Sequence, residues 1–247
     1  MVPAGQDGLI SKVAAAAPGK VVVAITAPGA VLTPWKAEVG SILWGGFPGQ
    51  EYGRALANVL FAAEGFNPSG RLPFTMPNKE NEVGFTPEQF PGVKRVGNYS
   101  EQLLIDYRWY TAHSIKPSYA FGHGLSYTTF GYSALTVAGR EVTFVVTNTG
   151  SRLGREVAQL YLEFPAEAHT PPLVLRGFVK TSALAPQASQ TVTFTLSDRD
   201  LSVWDDVSTH YWKVVQGSYG VLVGGASDNL PLRGVLEVAT SMHLKRQ

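Results

Sequence analysis

The sequence has 247 residues, of which 20 are Lys or Arg and 19 are Asp or Glu, so its formal net charge is +1 with neutral histidines. This balance excludes the strongly basic field of a nucleic-acid-binding protein, and we expect no nucleic-acid partner. The chain has no cysteine, which excludes disulfides, thiolate metal sites and a cysteine nucleophile.

The length of the chain predicts two domains of about 110 to 130 residues each. No apolar run approaches the roughly 20 residues that a membrane span requires, so we expect no membrane partner. Residues 1–7 lack the basic and apolar segments of a secretory signal, and we expect no export signal in this chain. The absence of cysteine does not decide the compartment, because many secreted proteins of this size have no disulfides.

The first 75 residues predict alternating helices and strands. A short helix is expected over residues 6–17, where apolar side chains recur on one face. The runs 20–26 and 40–44 are apolar without alternation, which is typical of parallel strands that are covered on both faces. The order of these elements predicts an α/β layer.

A second helix is expected from residue 49 to about residue 63, with Glu51 near its positive end. Residues 71–75 predict a third strand. A mostly parallel sheet of about three strands is too small to cover its own faces and edges. We therefore expect an α/β sandwich domain that is truncated at its N-terminus.

Residues 76–97 predict a long surface loop, because Pro and Gly recur too often for long regular elements. Just after it, Asn98 begins an N-glycosylation sequon whose use the sequence does not decide. From residue 131 onward, short strands separated by turns predict an antiparallel β-sandwich. These strands are expected at 134–137, 141–148, 155–162, 174–179, 189–196, 212–215, 219–223 and 233–238.

A segment with two aromatic-rich motifs separates the two patterns. It contains Tyr-Arg-Trp-Tyr at 107–110 and Phe-Gly-His-Gly-Leu-Ser-Tyr at 121–127. This segment resembles the join between the second domain and the fibronectin-III-like domain of glycoside hydrolase family 3. Further matches to that family follow in the same order along the chain, at 21–23, 45–51, 67–75, 148–150, 156–161, 175–178 and 217–224.

The resemblance implies a division of the chain into three parts. Residues 1–106 would be the C-terminal part of the family's second α/β domain, 107–130 an interdomain linker, and 131–247 a fibronectin-III-like β-sandwich. The implied partners are the N-terminal barrel and the first half of the second domain, on the same precursor or on a separate chain. A β-linked oligosaccharide or aryl glycoside would bind to the assembled enzyme. Members of the family are often secreted or periplasmic.

Retaining glycoside hydrolysis needs two carboxyl groups about 5 to 5.5 Å apart. The resemblance places the nucleophilic aspartate on the N-terminal barrel and the acid/base glutamate early in the second domain, so we assign no catalytic residue to this chain. Glu51 is explained by the helix dipole alone. Glu101 and Asp106 are expected to be exposed or paired with Arg108, and the two aspartates at 205–206 to lie in a solvated turn.

No cofactor or metal is expected. The glycine-rich run 45–49 is not followed by the Lys-Ser or Lys-Thr of a phosphate loop, and 122–124 lacks the third glycine of a dinucleotide-binding turn. Ser126 does not lie in the Gly-x-Ser-x-Gly motif of serine hydrolases. The histidines lack the spacing of metal ligands. They are His113, His123, His169, His210 and His243.

Aromatic side chains can stack on the C–H faces of sugars, and Trp35 in a polar loop is the candidate for such a contact. Packing between domains is nevertheless the stronger interpretation for Trp35. Trp44 is expected in the core, and Trp109 and Tyr110 are expected to pack between the domains. The sandwich loops 165–172 and 202–210 are candidates for a distal sugar subsite.

We therefore expect the C-terminal part of a retaining, exo-acting β-glycosidase of β-glucosidase or β-xylosidase type. It would complete and brace the catalytic unit and would be inactive alone. One alternative is a non-catalytic carbohydrate-associated binding or scaffold protein, which a sheet with its own cover would favour. Another is a self-contained hydrolase that uses Glu51 or another local carboxylate, but a second positioned carboxylate is then required.

Overall fold

The computed structural model describes residues 5–206 and 210–239. In the first part of the chain, two parallel strands form a small sheet, in which Val22 lies opposite Ser41 and Ile25 opposite Trp44. The predicted parallel pairing and both predicted helices are confirmed. The elements are α1 (Gln6–Ala16), β1 (Val22–Ile25), β2 (Ser41–Trp44) and α2 (Tyr52–Leu60).

The prediction of a third parallel strand at 71–75 is wrong. The backbone of this segment bonds instead to the linker, in an antiparallel sense, and only Met76 forms an isolated bridge with Tyr119. Leu72 N–H donates to the His123 carbonyl at 2.9 Å, and Gly122 N–H donates to the Leu72 carbonyl at 2.8 Å. Pro73 lacks a backbone N–H, so this segment cannot supply a continuous ladder.

The prediction that β1 is covered on both faces is also wrong. Val22 is exposed, whereas Ile25 is buried against Val31 and Trp35. Helix α2 has no buried residue, although its apolar side chains lie on one face. A sheet of two strands has too little area to cover a helix and both of its own faces, so apolar surface stays open here.

The loop predicted at 76–97 has no helix or strand in the structure. The predicted linker, in contrast, begins with a helix that the sequence analysis missed, α3 (Tyr107–Ala112). Its N-cap is Asp106, whose carboxylate accepts a hydrogen bond from the Tyr107 N–H at 2.6 Å. The cap satisfies a helix-end donor that would otherwise lack a partner.

The remainder of the chain forms the predicted antiparallel sandwich. One sheet has the strand order β11-β10-β5-β6 and the other has β3-β4-β7, while β8 and β9 form a separate hairpin. Strand β8, at Ser202–Asp205, was not predicted. The strands are β3 (Phe130–Ala138), β4 (Glu141–Asn148), β5 (Val157–Glu163), β6 (Val174–Lys180), β7 (Ser189–Thr195), β8 (Ser202–Asp205), β9 (Tyr211–Val214), β10 (Gly217–Gly224) and β11 (Leu232–Val238).

The core of the sandwich lies between its two sheets. In β4, residues alternate between buried and half-buried positions, so that Val142, Phe144 and Val146 all face the interior. They pack against fully buried residues of the other sheet, such as Leu160 and Val221. The period of two is the pattern that the sequence displayed. Among the described residues, no helix is long and apolar enough to cross a membrane.

Candidate functional site

The segment 67–76 attaches the α/β layer to the sandwich. The Asn67 side-chain amide donates to the Leu153 carbonyl at 2.9 Å. Its oxygen accepts bonds from the Ser126 hydroxyl at 2.8 Å and from the Tyr127 N–H at 2.9 Å. The Ser126 hydroxyl therefore bonds within the junction. It donates to Asn67 and not to a histidine, as the hydroxyl of a nucleophilic serine would.

An ion pair lies at the centre of the junction. The guanidinium of Arg71 is 2.6 Å from the Glu156 carboxylate, and the two side chains are 9% and 5% exposed. The Tyr132 hydroxyl donates to the other carboxylate oxygen at 3.0 Å. Burial and the Glu156 charge raise the pKa of Tyr132, so this hydroxyl stays a donor. Sequence analysis missed this pair, whose members lie 85 residues apart.

The Gly-His-Gly motif allows the backbones of the two parts to approach closely. A Cβ atom at Gly124 would lie 2.5 Å from the Gly70 carbonyl oxygen. A Cβ atom at Gly122, where φ is +82°, would collide with the Gln159 side chain. These glycines thus allow close packing and turning of the backbone.

Asp106 connects the linker helix to the α/β layer. Its carboxylate accepts bonds from the Thr75 N–H at 2.7 Å and from the Thr75 hydroxyl at 2.8 Å. The expected exposure or pairing with Arg108 is not what the structure shows: among the described residues, the ion pairs join other side chains. Asp106 is a helix cap and a tether in this chain.

The aromatic packing between the layers is made by Tyr107. Its ring lies 5.8 Å from the Tyr161 ring and 5.0 Å from the Phe121 ring, between centroids. Its hydroxyl accepts the Leu175 N–H at 2.9 Å, and burial raises its pKa. Trp109, which we expected between the domains, instead stacks on His113 with 4.3 Å between centroids.

Tyr110 ties the long loop to the linker helix. Its hydroxyl donates to Glu82 at 2.8 Å, and the same carboxylate accepts from the Asn78 side chain and backbone. Partial burial opposes ionisation of Glu82, but the bonds from Asn78 and Tyr110 outweigh it and lower the pKa of this carboxyl. Tyr110 therefore anchors the long loop to α3.

A cavity of about 470 Å³ lies where α3 meets the sandwich. It is open to solvent, and polar residues from both sides line it, with Thr111 and Lys116 from the linker and Asp228 from the sandwich. Small-ligand sites occur preferentially at such junctions between domains. The other lining residues are Thr75, Tyr107, Tyr110, Ser114, Ile115, Pro117, Ala120 and Ser227.

The other candidate residues do not assemble around this cavity. Trp35 is 1% exposed and its indole N–H donates to Asp7 at 2.7 Å, so its position favours packing within the α/β layer over contact with a sugar. Glu51 is the N-cap of α2 without a side-chain hydrogen bond. Glu101 accepts from the Gln89 amide. Asp205 is the last residue of β8, and only its neighbour Asp206 is in a turn.

The described histidines also remain apart. No group of three His, Asp, Glu or Cys side chains within residues 5–206 and 210–239 could hold a metal ion. His123 packs against Tyr119, with 5.2 Å between the ring centroids. Burial lowers the pKa of His123, with Asp228 opposing and Arg71 adding to that shift. His243 lies outside the described residues.

An α/β layer joined to a fibronectin-like sandwich defines the C-terminal architecture of a class of glycosyl hydrolases. The model of the glycosyl hydrolase family 3 C-terminal domain matches residues 1–127, and that of the fibronectin type III-like domain matches residues 156–227. The chain belongs to glycosyl hydrolase family 3.

Its relatives are β-glucosidases. Probable beta-glucosidase D of Aspergillus niger is 36% identical over 266 residues, which cover 96% of this chain and 34% of that protein. Probable beta-glucosidase L of Emericella nidulans is 39% identical over 226 residues, which cover 81% of this chain and 29% of that protein. The chain thus spans about a third of the length of the curated relatives it matches.

Solved structures of β-glucosidases have the same fold over this region. DesR from Streptomyces venezuelae, in complex with D-glucose, superposes with a TM-score of 0.89 at 36% identity and covers 95% of this chain and 30% of that one. The β-D-glucoside glucohydrolase of Trichoderma reesei superposes with a TM-score of 0.85 at 35% identity, and covers 96% of this chain and 36% of that one. In both proteins the matched region is the smaller part of a larger chain.

Proposed function

We propose that this chain is the C-terminal part of a retaining, exo-acting β-glycosidase that removes terminal sugars from β-linked glycans. The observation that carries the proposal is the match of almost the whole chain, at 36% identity, to about a third of a β-glucosidase. A β-glucosidase is favoured by the names of the relatives, and a β-xylosidase is the second candidate.

In this proposal, both catalytic carboxylates come from the part of the relatives that precedes the matched region. The described carboxylates that we considered serve as caps and tethers: Asp106 holds α3 and Thr75, and Glu101 holds Gln89. Glu156 is occupied by Arg71. A self-contained hydrolase would need a second carboxylate positioned beside Glu51, and these three carboxylates are held in other contacts, which disfavours it.

The open apolar surface of the α/β layer supports a covering partner. Large apolar side chains there are exposed although their neighbours belong to a small core, and such a surface usually marks an interaction site. We propose that the N-terminal barrel and the first half of the second domain cover it. A scaffold protein is disfavoured because the described residues leave this apolar surface exposed. The exposed residues are Leu9, Val13, Val22, Phe47, Leu60, Phe61 and Phe66.

We also propose that the chain divides into three parts. Residues 1–106 complete the second domain, residues 107–130 link it, and residues 131–247 form the bracing sandwich. The buried pair between Arg71 and Glu156 would transmit that bracing, because it fixes one part against the other.

The test is hydrolysis of a 4-nitrophenyl β-glucoside and a 4-nitrophenyl β-xyloside. The chain is assayed alone and mixed with the preceding family 3 segment from the same source, and their association is measured by size-exclusion chromatography. We expect activity only in the mixture. Activity of the chain alone, or an associated but inactive mixture, would overturn the proposal.

A further inference from the structure

Two tryptophans form an exposed pair on the β8–β9 hairpin. Trp204 and Trp212 are directly opposite each other, so their side chains share one face of the hairpin. Their ring centroids are 5.6 Å apart with an interplanar angle of 60°. The two residues are 48% and 44% exposed, although indoles are among the side chains that gain most from burial.

The base of the hairpin is held firmly. The Tyr219 hydroxyl oxygen lies 2.6 Å from the Val215 carbonyl oxygen and 3.0 Å from the Leu201 carbonyl oxygen, so its single proton can bond to either. Leu201 lies just before β8 and Val215 just after β9. The Val215 N–H also donates to the Leu201 carbonyl at 3.0 Å, and the Ser202 hydroxyl to the Asp198 carbonyl. These bonds anchor the backbone at the base of the hairpin, and an ordered backbone lowers the entropic cost of binding.

A cationic donor adjoins the pair. The guanidinium of Arg199 lies over the Trp212 ring, and Arg199 is itself exposed. A guanidinium offers several N–H donors in one plane. Arg199 covers one face of Trp212, so the pair offers its remaining indole faces beside the hydrogen-bond donors of the guanidinium. This combination suits a ligand with C–H faces and hydroxyl groups.

We infer that Trp204, Trp212 and Arg199 form a carbohydrate-binding platform for a β-linked glucan chain. The inference rests on the proposed function, which supplies the sugar class. The indole faces would stack on the C–H faces of glucose rings, and Arg199 would donate to ring hydroxyls. A platform on the sandwich would hold a glucan near the enzyme without taking part in hydrolysis.

The test is affinity electrophoresis of the whole chain in native gels with or without soluble barley β-glucan. We expect retardation of the wild-type chain by β-glucan and not by the α-linked glucan dextran. Trp204→Ala and Trp212→Ala should each weaken binding by about tenfold, whereas Trp204→Phe should retain most of it. Phe178→Ala is the matched control, because Phe178 is a 69% exposed aromatic on β6 of the same sandwich. Circular dichroism checks the fold of each variant.

Several results would overturn the platform. One is that β-glucan does not retard the wild-type chain, and another is that dextran retards it equally. A third is that β-glucan retards both Trp204→Phe and Trp204→Ala as strongly as the wild type. A concentration-dependent dimer that Trp204→Ala abolishes, without glucan binding, would assign the pair to a contact between copies. Glucan binding is measured on the chain alone, whereas the proposed function is tested by hydrolysis of an aryl glycoside in the mixture. A failure of the platform and a failure of the proposed function are therefore distinguishable.

Discussion

Arg71 and Glu156 form a nearly buried ion pair, 2.6 Å between nitrogen and oxygen, that joins the segment 67–76 to the residue just before β5 of the sandwich. Both side chains are nearly buried, so if one partner is removed, water cannot easily compensate for the charge of the other. The Tyr132 hydroxyl completes the coordination of the carboxylate. The relative position of the two parts therefore depends on this contact.

Replacing Glu156 should destabilise the protein. In Glu156→Gln the guanidinium of Arg71 stays buried without its counter-charge, and we expect a loss of about 3 kcal/mol. The measurement is urea unfolding followed by tryptophan fluorescence. Glu163→Gln is the control, because Glu163 pairs with the exposed Arg233 on the same sandwich and should change stability by less than about 1 kcal/mol. Equal losses in the two variants would contradict a special role of burial.

Gly124 should not tolerate a side chain. In Gly124→Ala the new Cβ atom would lie 2.5 Å from the Gly70 carbonyl oxygen, so the junction must open, and we expect a loss of about 1 to 3 kcal/mol. Gly8→Ala should instead stabilise by about 0.5 to 1 kcal/mol, because Gly8 lies within α1 with open space around it. Thermal unfolding of both variants distinguishes steric crowding at Gly124 from the effect on stability that any glycine-to-alanine substitution has. An unchanged midpoint for Gly124→Ala would be inconsistent with the close approach.

Asp106 should contribute more to the stability of the fold than an ordinary N-cap residue does. Asp106→Ala removes the cap of α3 and both bonds to Thr75, and we expect a loss of about 2 kcal/mol or more. Glu51→Ala is the matched control, since Glu51 caps α2 without a side-chain hydrogen bond and should cost less than about 1 kcal/mol. Differential scanning calorimetry measures both variants. Equal losses of stability in the two variants would mean that the bonds between Asp106 and Thr75 do not stabilise the fold.

His123 should make stability depend on pH. Burial holds its pKa in the folded protein below the unfolded value of about 6.5, so the fold favours the neutral imidazole. Its contribution is then present above about pH 6.5 and is lost as the pH falls through the folded-state pKa. We expect the unfolding midpoint to fall more steeply between about pH 7 and pH 5 in the wild type than in His123→Gln. Parallel curves would refute the assignment, and an NMR titration of the imidazole gives its pKa directly.

The sequence by itself determined the elements whose signals are local. The alternation of β4 and the turns around it predicted a sandwich strand at the residues where it lies, because a period of two needs only neighbouring residues to be visible. The unbroken apolar runs likewise predicted the parallel pair β1 and β2. The motif at 107–127 correctly indicated the junction of two layers and the family.

Only the tertiary structure decided which residues join the layers. Arg71 meets Glu156 across 85 positions, and Tyr107 rather than Trp109 packs on the sandwich; neither choice leaves a periodic signal in the sequence. The segment 71–75 has the composition of a strand, yet its backbone bonds go to the linker, because pairing depends on which partner the fold brings near. Local patterns thus specify elements, whereas long-range contacts select their partners.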